Sequence, residues 1–141
     1  MVRLSILLAL IALLAGCHAV RSRSNVVSFV EVDGSGHEVR RLTFALSNEP
    51  ARTCISGNWK MAKAIDDRAG YTQKPAYTLE NGRLEVLLVN SMCDAYNSYV
   101  GELSDARFRG DHVVYGLGYN KTLGTVSGTY MPAGNVARNH P

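Results

Sequence analysis

The chain has no His-x-His or His-x₃-His pair, no Gly-x-Ser-x-Gly elbow, no phosphate loop and no His-Glu-x-x-His helix. Those absences remove the short signatures of zinc sites, activated serines and nucleotide binding. It also lacks a block of like charges. Its 15 Lys and Arg and 12 Asp and Glu are scattered, and the formal net charge is +3. A nucleic-acid partner calls for a clustered basic stripe, so none is expected. Carboxylate pairs occur at Asp66-Asp67 and within Glu102 to Asp105, where solvated turns account for them. Of the four histidines, His18 and His140 lie near the ends and His37 beside glycines. Only His112, next to Asp111, begins a strand-like stretch. No catalytic residue, metal ligand set or cofactor is expected, and the chain is read as no enzyme.

Long apolar runs are missing too. Leu4 to Leu14 is aliphatic except for Ser5, which is short of the ~20 residues that span a bilayer. With Arg3 before it and small residues after it, the run has the form of a secretory signal. The segment ends in Leu14-Ala15-Gly16-Cys17, and this resembles the lipobox of bacterial lipoproteins. The resemblance covers Met1 to Cys17 only. It implies removal of residues 1–16 and lipidation of Cys17. It also implies a mature net charge near +2, because Arg3 leaves with the signal. Two or three acyl chains anchor firmly where one holds marginally. In that family an aspartate after the cysteine favours the inner membrane. His18 stands there, so the implied address is the outer membrane, facing the periplasm. Residues 17–25 then form a short tether whose Arg21 and Arg23 are solvated or touch anionic headgroups.

Cysteine is scarce: beyond Cys17 there are only Cys54 and Cys93. In an oxidising compartment an isolated pair is most simply a disulfide. A catalytic thiol would need a neighbour that lowers its pKa, and neither cysteine has a histidine nearby in sequence.

The rest of the chain is long enough for one domain, read here as residues 26–131, with a polar tail over 132–141. Its pattern is that of strands. Val26 to Val32 and Val39 to Leu46 flank Asp33-Gly34-Ser35-Gly36, and Leu42, Phe44 and Leu46 alternate with polar or small residues. A period of two marks a half-buried strand. Asn81-Gly82 between Ala76–Glu80 and Arg83–Val89 is a type I′ hairpin signal. Val86 to Val89 is apolar on both faces, as in a covered central strand. Tyr96 to Leu103 follows. Ala106–Arg109 and His112–Tyr119 are expected to pair across Gly110-Asp111, and Lys121 to Gly124 to turn into Thr125–Met131. Ser47 to Pro50 is expected to break the second strand. Lys60 to Ala69 suits a strand through about Ala64, with Trp59 and Met61 inward, or a short helix capped by Gly70. The fold class is all-β, a small antiparallel barrel or sandwich.

Glycines at 101, 110, 116, 118, 124 and 128 are dense for strands, and small barrels need such bends to close. Together with Gly57-Asn58-Trp59, this is similar to small lipocalin-like, calycin-type barrels, which begin with a Gly-x-Trp element. Here the element lies well inside the domain. Tyrosine supplies contact area at small entropic cost, so Trp59, Tyr96, Tyr99, Tyr115 and Tyr119 form a candidate binding face. The other reading of these rings is core. Tyr115 and Tyr119 are expected on one face of one strand.

The functional expectation is a non-enzymatic binding module anchored in the outer membrane. Its partner would be an envelope protein, as for an inhibitor or immunity factor. The alternatives are an accessory lipoprotein of pilotin type, or a carrier with a cavity for a small apolar ligand lined by Trp59, Leu84, Val86 and tyrosines. The anchor is directly testable. Cys17→Ser is expected to abolish labelling by a palmitate analogue in cells and to leave unprocessed precursor on a gel.

Overall fold

A computed structural model describes residues 24–134. The signal segment, Cys17 and the last seven residues, with the expectations attached to them, lie outside this range. Eight strands follow one another as β1 (Asn25–Val32), β2 (Glu38–Pro50), β3 (Lys60–Asp66), β4 (Ala76–Glu80), β5 (Arg83–Val89), β6 (Ala95–Ser104), β7 (Arg107–Gly116) and β8 (Tyr119–Met131). Each pairs antiparallel with the next, and β1 pairs with β8 from Val26↔Met131 to Val32↔Thr125. The sheet is a closed up-and-down barrel, and closure removes its free edges.

The alternation read in the sequence fills the interior. Val27, Phe29, Leu42, Phe44, Leu84 and Val86 are buried and point inward. Phe29 stands at the centre, edge-on to Phe44 at 6.1 Å, Tyr99 at 5.3 Å and Phe108 at 5.0 Å. T-shaped contacts match positive ring edges to negative faces. The Asn81-Gly82 turn forms as expected, with φ of 51° and 79°.

Other boundaries differ from expectation, for local physical reasons. Gly110-Asp111 is no turn: β7 runs through it. Gly110 faces Gly101 of β6, and a Cβ on Gly101 would run into the Arg109 carbonyl and the Gly110 Cα. The glycines allow two backbones to approach. The turn falls instead at Asp105 and Ala106, both at positive φ. Lys121 to Gly124 also lies within a strand, and the β7–β8 turn is Leu117-Gly118, with Gly118 at φ 79°. Tyr115 and Tyr119 therefore sit on different strands. Ser47 to Pro50 does not break β2, because Pro50 still pairs with Lys60. Lys60 to Asp66 is strand, and the described residues contain no helix. Within it the parity is the reverse of that expected: Ala62 is buried and Met61 is 46% exposed.

Between β2 and β3 the chain crosses the outside of the barrel. Trp59 is buried there with Ala76 and Leu87, and Ala51, Ile55 and Tyr96 pack around them. The Cys54–Cys93 disulfide, with Cα atoms 5.5 Å apart, and a hydrogen bond from Asn90 Nδ2 to the Arg52 carbonyl hold this segment to the β5–β6 loop. The bond joins residues 39 apart, so its main effect is to restrict the unfolded chain. Replacing both cysteines by serine is expected to lower the unfolding free energy by roughly 4 kcal/mol, measured by urea denaturation followed by circular dichroism.

Candidate functional site

One end of the interior is polar. In β1 the inward series Val27, Phe29 is followed by Glu31, which is 3% exposed. Arg40 lies almost opposite on β2, where Glu31 pairs with it in register. β6 contributes Asn97 and Tyr99, and β7 contributes His112, which is 1% exposed. The β3–β4 connection adds Tyr71.

Three donors converge on the Glu31 carboxylate. Arg40 Nη1 donates to Oε2 at 2.7 Å and Tyr99 Oη to Oε2 at 2.8 Å, while His112 Nδ1 donates to Oε1 at 2.7 Å. His112 Nε2 lies 2.6 Å from Asn97 Oδ1, and Asn97 Nδ2 donates to Tyr71 Oη at 2.7 Å. With the Asn97 amide oriented this way, both imidazole nitrogens carry protons. Turned over, the same amide donates to Nε2 and accepts from the Tyr71 hydroxyl, so it satisfies the neutral ring as well. The Arg40 guanidinium carbon sits 3.5 Å from the Tyr71 ring centre, a cation–π contact on the solvent side.

Tyr71 is held by its own loop. Asp67 Oδ1 accepts from the Tyr71 N–H at 2.9 Å, and Oδ2 accepts from the Thr72 N–H at 2.7 Å and hydroxyl at 2.8 Å. Slight burial works to raise the Asp67 pKa, but these hydrogen bonds outweigh it and hold the carboxyl below its usual value. The Tyr99 phenol is pushed well above its ordinary value, first by burial and then by its bond to ionised Glu31.

Chemically, this cluster joins four strands and one loop across the barrel end. Both oxygens of Glu31 and both nitrogens of His112 are occupied by partners within the chain. Among the described residues no group of three or more His, Cys, Asp or Glu is arranged to hold a metal ion.

The five aromatic residues of the candidate face are divided by the fold. Tyr99 points inward and is fully buried. Trp59, Tyr96 and Tyr115 gather on the outer surface. The Tyr96 and Tyr115 rings are 5.2 Å apart, and Tyr115 Oη donates to Glu85 Oε1 at 2.7 Å. Burial and the Glu85 carboxylate together raise the Tyr115 pKa. Trp59 is only 6% exposed, so it packs the outer cluster and offers little to a partner. It also shares no cavity with Leu84 and Val86, which belong to the inner core. Tyr119, 45% exposed, opens β8 beside the Leu117-Gly118 turn. Leu117 is 81% exposed, and Met92 and Leu123 are 57% and 43% exposed at the same end.

The sequence reading singled out His112 but missed its partner Glu31. The signal was present: a carboxylate two residues beyond Phe29, in the inward register of β1. Removing one member of a buried charged cluster leaves the others unpaired, at a cost of about 3–5 kcal/mol. Glu31→Ala is expected to lose that much stability in chemical denaturation while retaining a β-type spectrum under native conditions. No protein-family model matches this chain, and neither does any curated protein or solved structure.

Proposed function

We propose that this protein is an outer-membrane lipoprotein, tethered through Cys17 and facing the periplasm, that acts without catalysis by binding an envelope protein. Inhibition of a lytic or proteolytic enzyme is the form of binding that suits it best. The observation carrying this reading is the β7–β8 hairpin tip, where Leu117 is 81% exposed beside half-exposed Tyr119. A leucine held out on a two-residue turn covers no core of its own. Exposed apolar groups grouped at one end, with Met92 and Leu123 near them, mark a contact surface.

The filled interior supports a surface binder over a carrier. A carrier needs a concave apolar pocket, whereas Phe29, Phe44, Tyr99 and Phe108 meet at the barrel centre. The tip is also well placed for a tethered protein. β8 runs from Tyr119, next to the tip, to Met131, which pairs with Val26 near the start of β1. Thirteen residues at ~3.3 Å each put the tip roughly 40 Å along the strand from the tethered end.

The test is a photo-crosslinking residue placed at Leu117 or at Met61, on β3, in the full chain in cells. A discrete protein adduct at position 117 and none at 61 is the expected result. Adducts at 61 alone, or at neither position, would overturn the reading.

A further inference from the structure

The geometry points to a membrane-contacting face on the side of the barrel, formed by β7, β8, β1 and β2 and fitted to the phosphates of anionic phospholipids. This inference rests on the lipid anchor of the preceding section.

Two rows of outward side chains cross these four strands in register. One row is Arg109, Ser127, Val30 and Arg41; the next is Arg107, Thr129, Ser28 and Thr43. A shallow groove of about 390 Å³ runs between them. Its floor is made of short residues, Ser28, Val30, Ser127, Gly128 and Thr129, with the Ser28 hydroxyl bonded to Thr43 at 3.1 Å, so nothing bulky shields the arginines from a flat surface. Among the described residues, the ion pairs use Arg40, Arg41 and Arg68, leaving Arg107 and Arg109 without a carboxylate partner. Acidic groups flank the face: Glu102 and Asp105 share a neighbouring cleft with Arg107 and Arg109 on the β6 side, beyond ion-pair distance. Glu102 is opposite Arg109 on β6, Asp66 is opposite Thr43 on β3, and Glu38 holds Arg41 at 2.8 Å. Guanidinium and hydroxyl donors are the groups that phosphate oxygens accept from.

The tether chooses the occupant. Cys17 to Asn25 is eight residue steps, at most about 28 Å when extended. Ser28 and its row lie three residues into β1, and Arg107 is the first residue of β7 at the same end. A lipid at Cys17 therefore keeps this face within reach of headgroups, at a high effective concentration. The barrel leans on the lower part of this face, and the hairpin tip remains clear.

The experiment uses the full lipidated chain in phosphatidylethanolamine vesicles, with and without phosphatidylglycerol. Ser127→Cys or Met61→Cys carries a fluorophore, and a spin-labelled headgroup lipid acts as quencher. Flotation is scored first. A chain that does not float with vesicles overturns the anchor and this face together. For a chain that floats, quenching at 127 is expected to exceed that at 61 several-fold when phosphatidylglycerol is present. That excess should vanish in Arg107→Gln/Arg109→Gln and in high salt. Equal quenching at the two positions, or an excess that survives the double substitution, overturns the face and leaves the anchor intact. Shielding of the label at 127 by a soluble sulfated polysaccharide, with no effect of phosphatidylglycerol, would assign the face to a free polyanion and overturn the membrane assignment.

Discussion

Closure of the sheet is the constraint on which the rest depends. Once β8 returns to pair with β1, every strand has a neighbour on each side and an inside distinct from its outside. The inside must be filled by alternate residues of eight strands at once. Phe29 meets three other rings there, and this ties β1 to β2, β6 and β7 at one level. Two backbones also come unusually close where Gly101 faces Gly110. Side chains at those positions would force β6 and β7 apart.

A closed barrel also has ends, and at one of them the filling changes from apolar to polar. A buried carboxylate is tolerated only when donors surround it, and Glu31 has three. The consequence is long-range. Glu31 and His112 are 81 residues apart, and Glu31 and Tyr99 are 68 apart, so the cluster records the register of strands that are distant in sequence. Arg40 continues it outward to Tyr71, whose loop is set by Asp67. The opposite choice is made outside, where the Cys54–Cys93 bond and Trp59 hold a strand connection against β4 and β5. The molecule thus has a polar interior end, a covered outer flank, a bare cationic flank and an apolar tip. The last two are the surfaces proposed to contact a membrane and a protein partner.

Several of these elements were legible in advance because they depend on near neighbours. The alternation of Leu42, Phe44 and Leu46, the Asn81-Gly82 turn and the two-faced apolarity of Val86 to Val89 each depend on a few adjacent residues, and each is found in the structure, with Val89 only partly buried. The turn positions in the last third were not legible. Gly110 reads locally like a turn residue, yet its use is set by a glycine on another strand. Asp105 and Ala106 take positive φ because the pairing of β6 with β7 on either side demands it, against their own preference. Trp59 and Met61 share one face, as a period of two requires, but that face is the outside: Ala62 takes the inward position, and Trp59 is buried because it packs with Ala76 and Leu87 on the outer flank. The aromatic face failed as a unit because a count of tyrosines carries no information about which side of a sheet each one takes.

What the amino-acid sequence determined by itself was the all-β class, the pairing of its two inner cysteines and the first, fourth and fifth strands, since local alternation and turn chemistry are properties of short segments. The tertiary structure decided that the sheet closes as a barrel, that Glu31, Arg40, Tyr99 and His112 meet, and that Arg107 and Arg109 share a flank with Ser28 and Thr129. Those outcomes depend on strand register around a complete circuit. Register is a sum over all eight strands, and no single stretch of sequence contains it.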